Sequence, residues 1–297
     1  MNNYFLLVIS MLCALTASVI KKHSTEKFES KQLMRFFFNA VVSLTCVISF
    51  LVLSGIPKIS GFTLMLGLLF GTVTAIQQIF VLMAYESGPF SYTSVIVSLS
   101  TIIPALSGYF IWGESIVTVQ IIGMVLMLCC FALSVDFSKS EKKASLSWFL
   151  YVFIAFITTG LIGVMQKWHQ SSECKAELDG FLIIAFLFSF VFATVGTLFV
   201  YQKEKDKSEE KKPFRDIKAI ALVFMAICGI CVAANNKMNL FLSGVIDSAI
   251  FFPIVNGGGM ILSTLTSIFI FKEKFNMQKC IGIAIGVVAV FLLCNPF

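Results

Sequence analysis

Ten apolar stretches recur along the chain, at about 4–20, 33–55, 62–85, 90–112, 116–135, 147–166, 180–201, 217–240, 245–271 and 277–294. Nearly all of the charge falls in the gaps between them. Each stretch is close to the roughly 20 residues that carry a helix across about 30 Å of hydrocarbon. Amides in lipid must find partners within their own segment, so each stretch predicts a helix. A membrane barrel would instead show short alternating strands, and the sequence has none. The pattern therefore predicts an all-α membrane protein with ten transmembrane helices.

The last five stretches repeat the order of the first five. Lys21-x-His23 after the first matches Lys167-x-His169 after the sixth. Trp112–Gly113–Glu114 followed by Gly123 matches Phe271–Lys272–Glu273 followed by Gly282, with the same Glu-to-Gly spacing. Ser87–Gly88 before the fourth stretch resembles Ser243–Gly244 before the ninth. The charged segment 136–145 separates the halves, 1–137 and 146–297. A five-helix unit repeated in tandem enters the membrane from opposite sides. The halves are thus expected to be inverted repeats about an axis in the membrane plane. Secondary transporters of that design bind substrate at the repeat interface near the midplane.

Loop charge gives an orientation. Of the 22 Lys and Arg residues, 18 fall in the loops at 21–35, 139–143, 203–218 and 272–279. The opposite set holds only Lys58, Lys167, Lys175 and Lys237. The basic side is expected to be cytoplasmic, with both termini outside. The net charge of +6 thus belongs to short loops facing anionic headgroups and implies no nucleic acid. A content of 58% hydrophobic and 13% charged residues excludes a soluble globular class. The longest polar run, Gln202–Asp216, is too short for a soluble domain. No basic side chain precedes the first stretch, so Tyr4–Ile20 reads as a retained helix rather than a signal peptide.

These features resemble the drug/metabolite transporter superfamily, EamA type. The likeness rests on two five-helix repeats and on Gly88–Pro89, Pro104 and the Trp112–Gly113–Glu114 turn, with a second copy from Gly244 to Glu273 and Gly282. It covers essentially the whole chain. It implies a multi-pass carrier of a small organic metabolite or drug in the cytoplasmic membrane, often an exporter, working by alternating access without ATP or any other cofactor. In keeping with that, no Gly-x-x-x-x-Gly-Lys-Ser/Thr phosphate loop occurs. The rival reading is a non-transporting receptor or assembly partner on the same scaffold. No metal-ligand or acid–base cluster falls within the apolar stretches, so neither an enzyme nor a metal site is expected.

Polar groups inside membrane helices are costly and face cavities or other helices. Ser94, Ser98 and Thr101 share one face of the fourth stretch with Ser91, Ala105 and Gly108, for close packing or for lining a pathway. Gln77 and Gln78 in the third stretch, and Asn235 and Asn239 in the eighth, are candidate substrate contacts, because an amide both donates and accepts. The alternative for each is a hydrogen bond between helices. Asn256 joins the substrate candidates through Asn256–Gly257–Gly258–Gly259, which permits close helix contact or local unwinding one turn beyond Pro253. Lys21, Glu86, Lys167, Lys237 and Asp247 are candidates for coupling or gating. Against this, the lysines could snorkel and Asp247 could complement a helix N-terminus. Glu114 and Glu273 read as structural loop acids. Gly282-x-x-x-Gly286 could serve packing within the chain or in a homodimer. The cysteines read as small packing residues, with Cys174 in a polar loop as the exception.

Overall fold

The structure, a computed structural model, describes residues 3–25, 31–87, 90–133, 145–205, 219–269 and 277–294. The described helices, in chain order, are α1 (Asn3–Thr25), α2 (Lys31–Ser54), α3 (Gly61–Ser87), α4 (Phe90–Leu99), α5 (Ile102–Trp112) and α6 (Thr118–Leu133). They continue with α7 (Leu146–Gln170), α8 (Leu178–Lys205), α9 (Ala219–Ser243), α10 (Ser248–Phe269) and α11 (Met277–Cys294). A 3-10 turn, Glu173–Glu177, precedes α8, and no strand occurs among the described residues. Seven helical segments among them are long and apolar enough to cross a membrane. Three shorter apolar helices, Thr118–Leu133, Ser248–Leu262 and Cys280–Cys294, accompany them.

The hydroxyls on these helices are largely satisfied without leaving their own segment. Those of Thr45, Thr72, Thr158, Thr194 and Thr197 each donate to a carbonyl four residues earlier, at 2.7–2.8 Å. Such back-bonding lets a polar residue sit in a membrane helix without an external partner.

The fourth apolar stretch is not one helix. It breaks at Ser100–Thr101, between α4 and α5. Pro104 has no N–H to give the carbonyl four residues back, and its ring crowds that turn. The chain tightens there instead: Ser100 N–H bonds Val97 O at 3.2 Å and Ile103 N–H bonds Ser100 O at 3.0 Å. These are 3-10 contacts, common where an α-helix is interrupted.

The chain divides into two compact units, each drawing helices from both halves of the sequence. The first comprises residues 1–7, 73–172 and 240–297. Within it, α6 packs along α11: a Cβ on Gly123 would lie 2.9 Å from Leu293, and one on Gly286 would lie 2.7 Å from Cys130 Sγ. Rising numbers in α6 meet falling numbers in α11, so the pair is antiparallel. The same holds for α5 and α10. There Gly108 meets Ser248, while Thr101 and Ala105 face Pro253. Helix α7 lies close on both through glycine. A Cβ on Gly163 would be 2.9 Å from Pro104 and 2.9 Å from Phe252. Trp148 on α7 donates its indole N–H to Thr93 Oγ1 of α4 at 2.9 Å.

The second unit comprises residues 8–72 and 173–239. Its axis is the antiparallel pair α2 and α8. Phe36 meets Gly196, Ser43 bonds Ser189 at 3.1 Å, Phe50 meets Phe186, and Ser54 bonds Asp179 at 2.6 Å. Cys46 Sγ approaches Gly229 O at 3.3 Å and Cys228 Sγ approaches Ala17 O at 3.5 Å, both in packed interior.

Candidate functional site

Helix α5 ends on Gly113, at φ 66° and ψ 25°, a left-handed conformation that favours glycine. The turn sends Glu114 back along the helix, with its N–H on Gly108 O at 3.0 Å. The side chain meets Lys167, in the last turn of α7, where a cation is favoured by the helix dipole. Glu114 Oε1 and Lys167 Nζ form an ion pair with side-chain exposures of only 9% and 8%. The other carboxylate oxygen, Oε2, accepts the backbone N–H of Ser248 at 2.7 Å. Ser248 opens α10, so this N–H is one of the donors that a helix start leaves without an internal partner. One carboxylate thus joins α5, α7 and α10.

Gly108 makes room for it. A Cβ there would overlap Glu114 Oε2 and lie 2.7 Å from Ser248 Cβ. Beside the pair, His169 and Gln170 are buried and bond to each other through Nδ1 and Nε2 at 3.1 Å. Gly244 lets the chain pass Gln170, whose Cβ would be 2.8 Å from a Cβ at that position. Ser248 Oγ is fully buried and has no hydrogen-bond partner among the described residues.

Deeper in the same unit, the helix break borders a small, nearly apolar cavity between Thr101, Ala105, Met127 and Pro253. Gly257 faces Met127, and a Cβ would overlap its sulfur. By contrast, nothing lies within 4 Å of a Cβ on Gly259. The glycine run therefore contains one close approach and one open position. Pro253 lies inside a continuous α10.

The second unit holds its own ionic contact. Lys237 Nζ reaches Asp179 at 2.8 and 3.0 Å, and Ser54 Oγ donates to Asp179 Oδ2. The lysine is 38% exposed, which makes this a wetter pair than Lys167–Glu114. Nearby, Ser60 N–H and Oγ both bond Glu177 at 2.8 Å, and Cys174 Sγ lies 3.3 Å from Ser60 Oγ.

The remaining expected residues fall as follows. Asn239 donates to Asn235 at 3.2 Å on one face of α9, an intrahelical bond, and Asn239 Oδ1 is buried with no partner among the described residues. Asn256 is exposed and bonds Phe252 O of its own helix at 2.9 Å. Gln77 is half-buried and Gln78 exposed. Thr101 is buried at the helix break, and Ser98 is half-buried just before it. Asp247 is exposed immediately before α10, where its carbonyl accepts Phe251 N–H at 2.9 Å. The side chains of Lys21, Glu86 and Ser94, and the whole of Glu273, lie outside the described residues. The sequence reads Glu114 as a structural loop acid without giving the helices it joins, and it gives no role to Asp179. Glu114 carried a signal in the Gly-Glu turn, whereas no sequence pattern links Asp179 to Lys237. The described residues contain no group of three or more His, Cys, Asp or Glu able to hold a metal.

Comparison with known protein families finds no match, and comparison with curated proteins finds none either. A solved structure described only as "Crystal structure of protein" is similar, with a TM-score of 0.72 and 12% identity. The likeness covers 97% of this chain and 98% of that one. At such identity the likeness is one of fold.

Proposed function

We propose that the chain is a secondary-active carrier of small organic solutes in the cytoplasmic membrane, exporting by alternating access. In this reading it is EamA-like, with ten spans arranged as two inverted five-helix repeats. The observation that carries it is the antiparallel packing of stretches that lie five places apart along the chain. The second and seventh stretches pair as α2 and α8. The fifth and tenth pair as α6 and α11, and the fourth and ninth as α5 and α10. A repeat with an odd number of helices makes each helix antiparallel to its mate, and a two-fold axis in the membrane plane lets mates meet.

Two further features support the reading. A helix interrupted at Ser100–Thr101 in an apolar bundle has the character of a discontinuous transporter helix. A buried ion pair in such a bundle is by default a functional candidate, because isolated charge there is costly. Saturable flux of a solute into proteoliposomes containing the purified chain tests the proposal. Solute binding with no flux under any imposed gradient would favour the receptor reading instead.

A further inference from the structure

We propose that Glu114 plugs an anion-binding cradle, and that the ligand of this cradle is a small organic carboxylate that takes Glu114's place. The inference deepens the carrier reading by naming a substrate class, and as a transport claim it rests on that reading. The cradle has three donors in one compact unit. The first is the ammonium of Lys167, a residue 6% exposed. The second is the backbone N–H of Ser248, at the start of the 22-residue α10. The third is Ser248 Oγ, which is fully buried and unpartnered among the described residues.

Glu114 uses the first two of these. Its Oε1 takes the ammonium and its Oε2 takes the N–H, leaving the hydroxyl unused. A buried hydroxyl with no acceptor or donor is costly unless something engages it. A free carboxylate, not anchored to the turn at Gly113, can shift toward the hydroxyl of the same serine whose N–H it accepts. The wall opposite is Gly108, whose missing Cβ is the space the carboxylate occupies. The electrostatics select the sign of the ligand. A buried lysine and a helix N-terminus both favour an anion and oppose an amine. Glu114 lies on the short non-helical link 113–117 between α5 and α6, so it can leave without unwinding a helix. Its departure would release that link from both α7 and α10. Ligand binding and the loosening of three helices would then be one event.

The test uses purified full-length protein in detergent, with lactate as probe and the uncharged lactamide as control, read by calorimetry. In the wild type lactate competes with a tethered carboxylate, whose effective concentration is of millimolar order or higher. Glu114→Gln removes that competitor, so lactate affinity should rise at least about tenfold. Lactamide should not bind. Lys167→Gln, alone or combined with Glu114→Gln, should abolish lactate binding. Equal lactate affinity in wild type and Glu114→Gln, binding of lactamide, or binding retained by Lys167→Gln would each overturn the cradle. Should Glu114→Gln fail to fold, Glu114→Asp provides the second variant. Its shorter arm holds Lys167 less well, and a folded Asp variant with unchanged lactate affinity overturns the proposal equally. Lactate flux in vesicles separates the two readings. Binding as expected with no flux leaves the cradle and removes the carrier. Flux unaffected by Lys167→Gln leaves the carrier and removes the cradle.

Discussion

Replacing Gly257 by Ala should destabilise the protein, while the same change two residues later at Gly259 should not. The two positions share one helix and one mutation, so the helix-propensity gain is common to both, about 1 kcal/mol for Gly to Ala. They differ in surroundings. At Gly257 the new methyl would overlap Met127 Sδ and lie 2.6 Å from its Cε and 2.8 Å from its Cγ. Met127 is itself fully buried, and the small cavity it lines gives its thioether only part of the room it needs to move aside. Overpacking of this kind costs about 1–3 kcal/mol. At Gly259 nothing lies within 4 Å of the methyl. The difference between the two variants therefore isolates the packing cost, at about 1–3 kcal/mol. Thermal unfolding in a fixed detergent should place the Gly257→Ala midpoint several degrees below that of Gly259→Ala, at roughly 2–4 °C per kcal/mol. Met127→Ala supplies the check. Alone it leaves a cavity, but combined with Gly257→Ala the two changes should compensate, with a favourable coupling of about 1 kcal/mol or more. Equal midpoints for the two alanine variants, or strict additivity with Met127→Ala, would refute the close approach.

Breaking the buried pair with Lys167→Met should cost about 3–5 kcal/mol, because Glu114 is left buried without its cation. Lys167→Met with Glu114→Gln should recover much of that loss in thermal unfolding. Lys237→Ala should cost only about 1 kcal/mol or less, since its partly exposed pair with Asp179 is screened by water. Asn239→Ala should reduce flux or shift apparent affinity in vesicles with little change in membrane abundance, and normal transport would return the residue to helix packing. In intact cells a cysteine introduced at Asn2 should react with an impermeant thiol reagent and one at Ser208 should not; the reverse result would invert the orientation drawn from loop charge.

The helices were legible because length and apolarity are local properties. The stretches expected at 62–85 and 277–294 correspond to Gly61–Ser87 and Met277–Cys294. The break at Ser100–Thr101 was not read, although Pro104 held its physical cause. Apolar runs report burial in lipid and do not reveal how the backbone negotiates a missing donor. The polar residues were harder still. Lys167 was recognised as a candidate, yet its surroundings depend on Glu114, and on a backbone N–H in a helix distant in sequence. The glycine run was located correctly, but which of its members is confined is set by Met127 on another helix. Gly286 of the expected pairing motif packs on Cys130 and Ile261 of its own chain.

The carboxylate of Glu114 also sets an order of events during synthesis. The hydrogen bonds of the back-bonded threonines are complete as soon as their own helix forms, so they need no partner made later. Glu114 must wait for Lys167, and then for Ser248, which lies 134 residues further along the chain. Until the start of α10 has been made, the nascent protein carries an acid whose set of partners is incomplete.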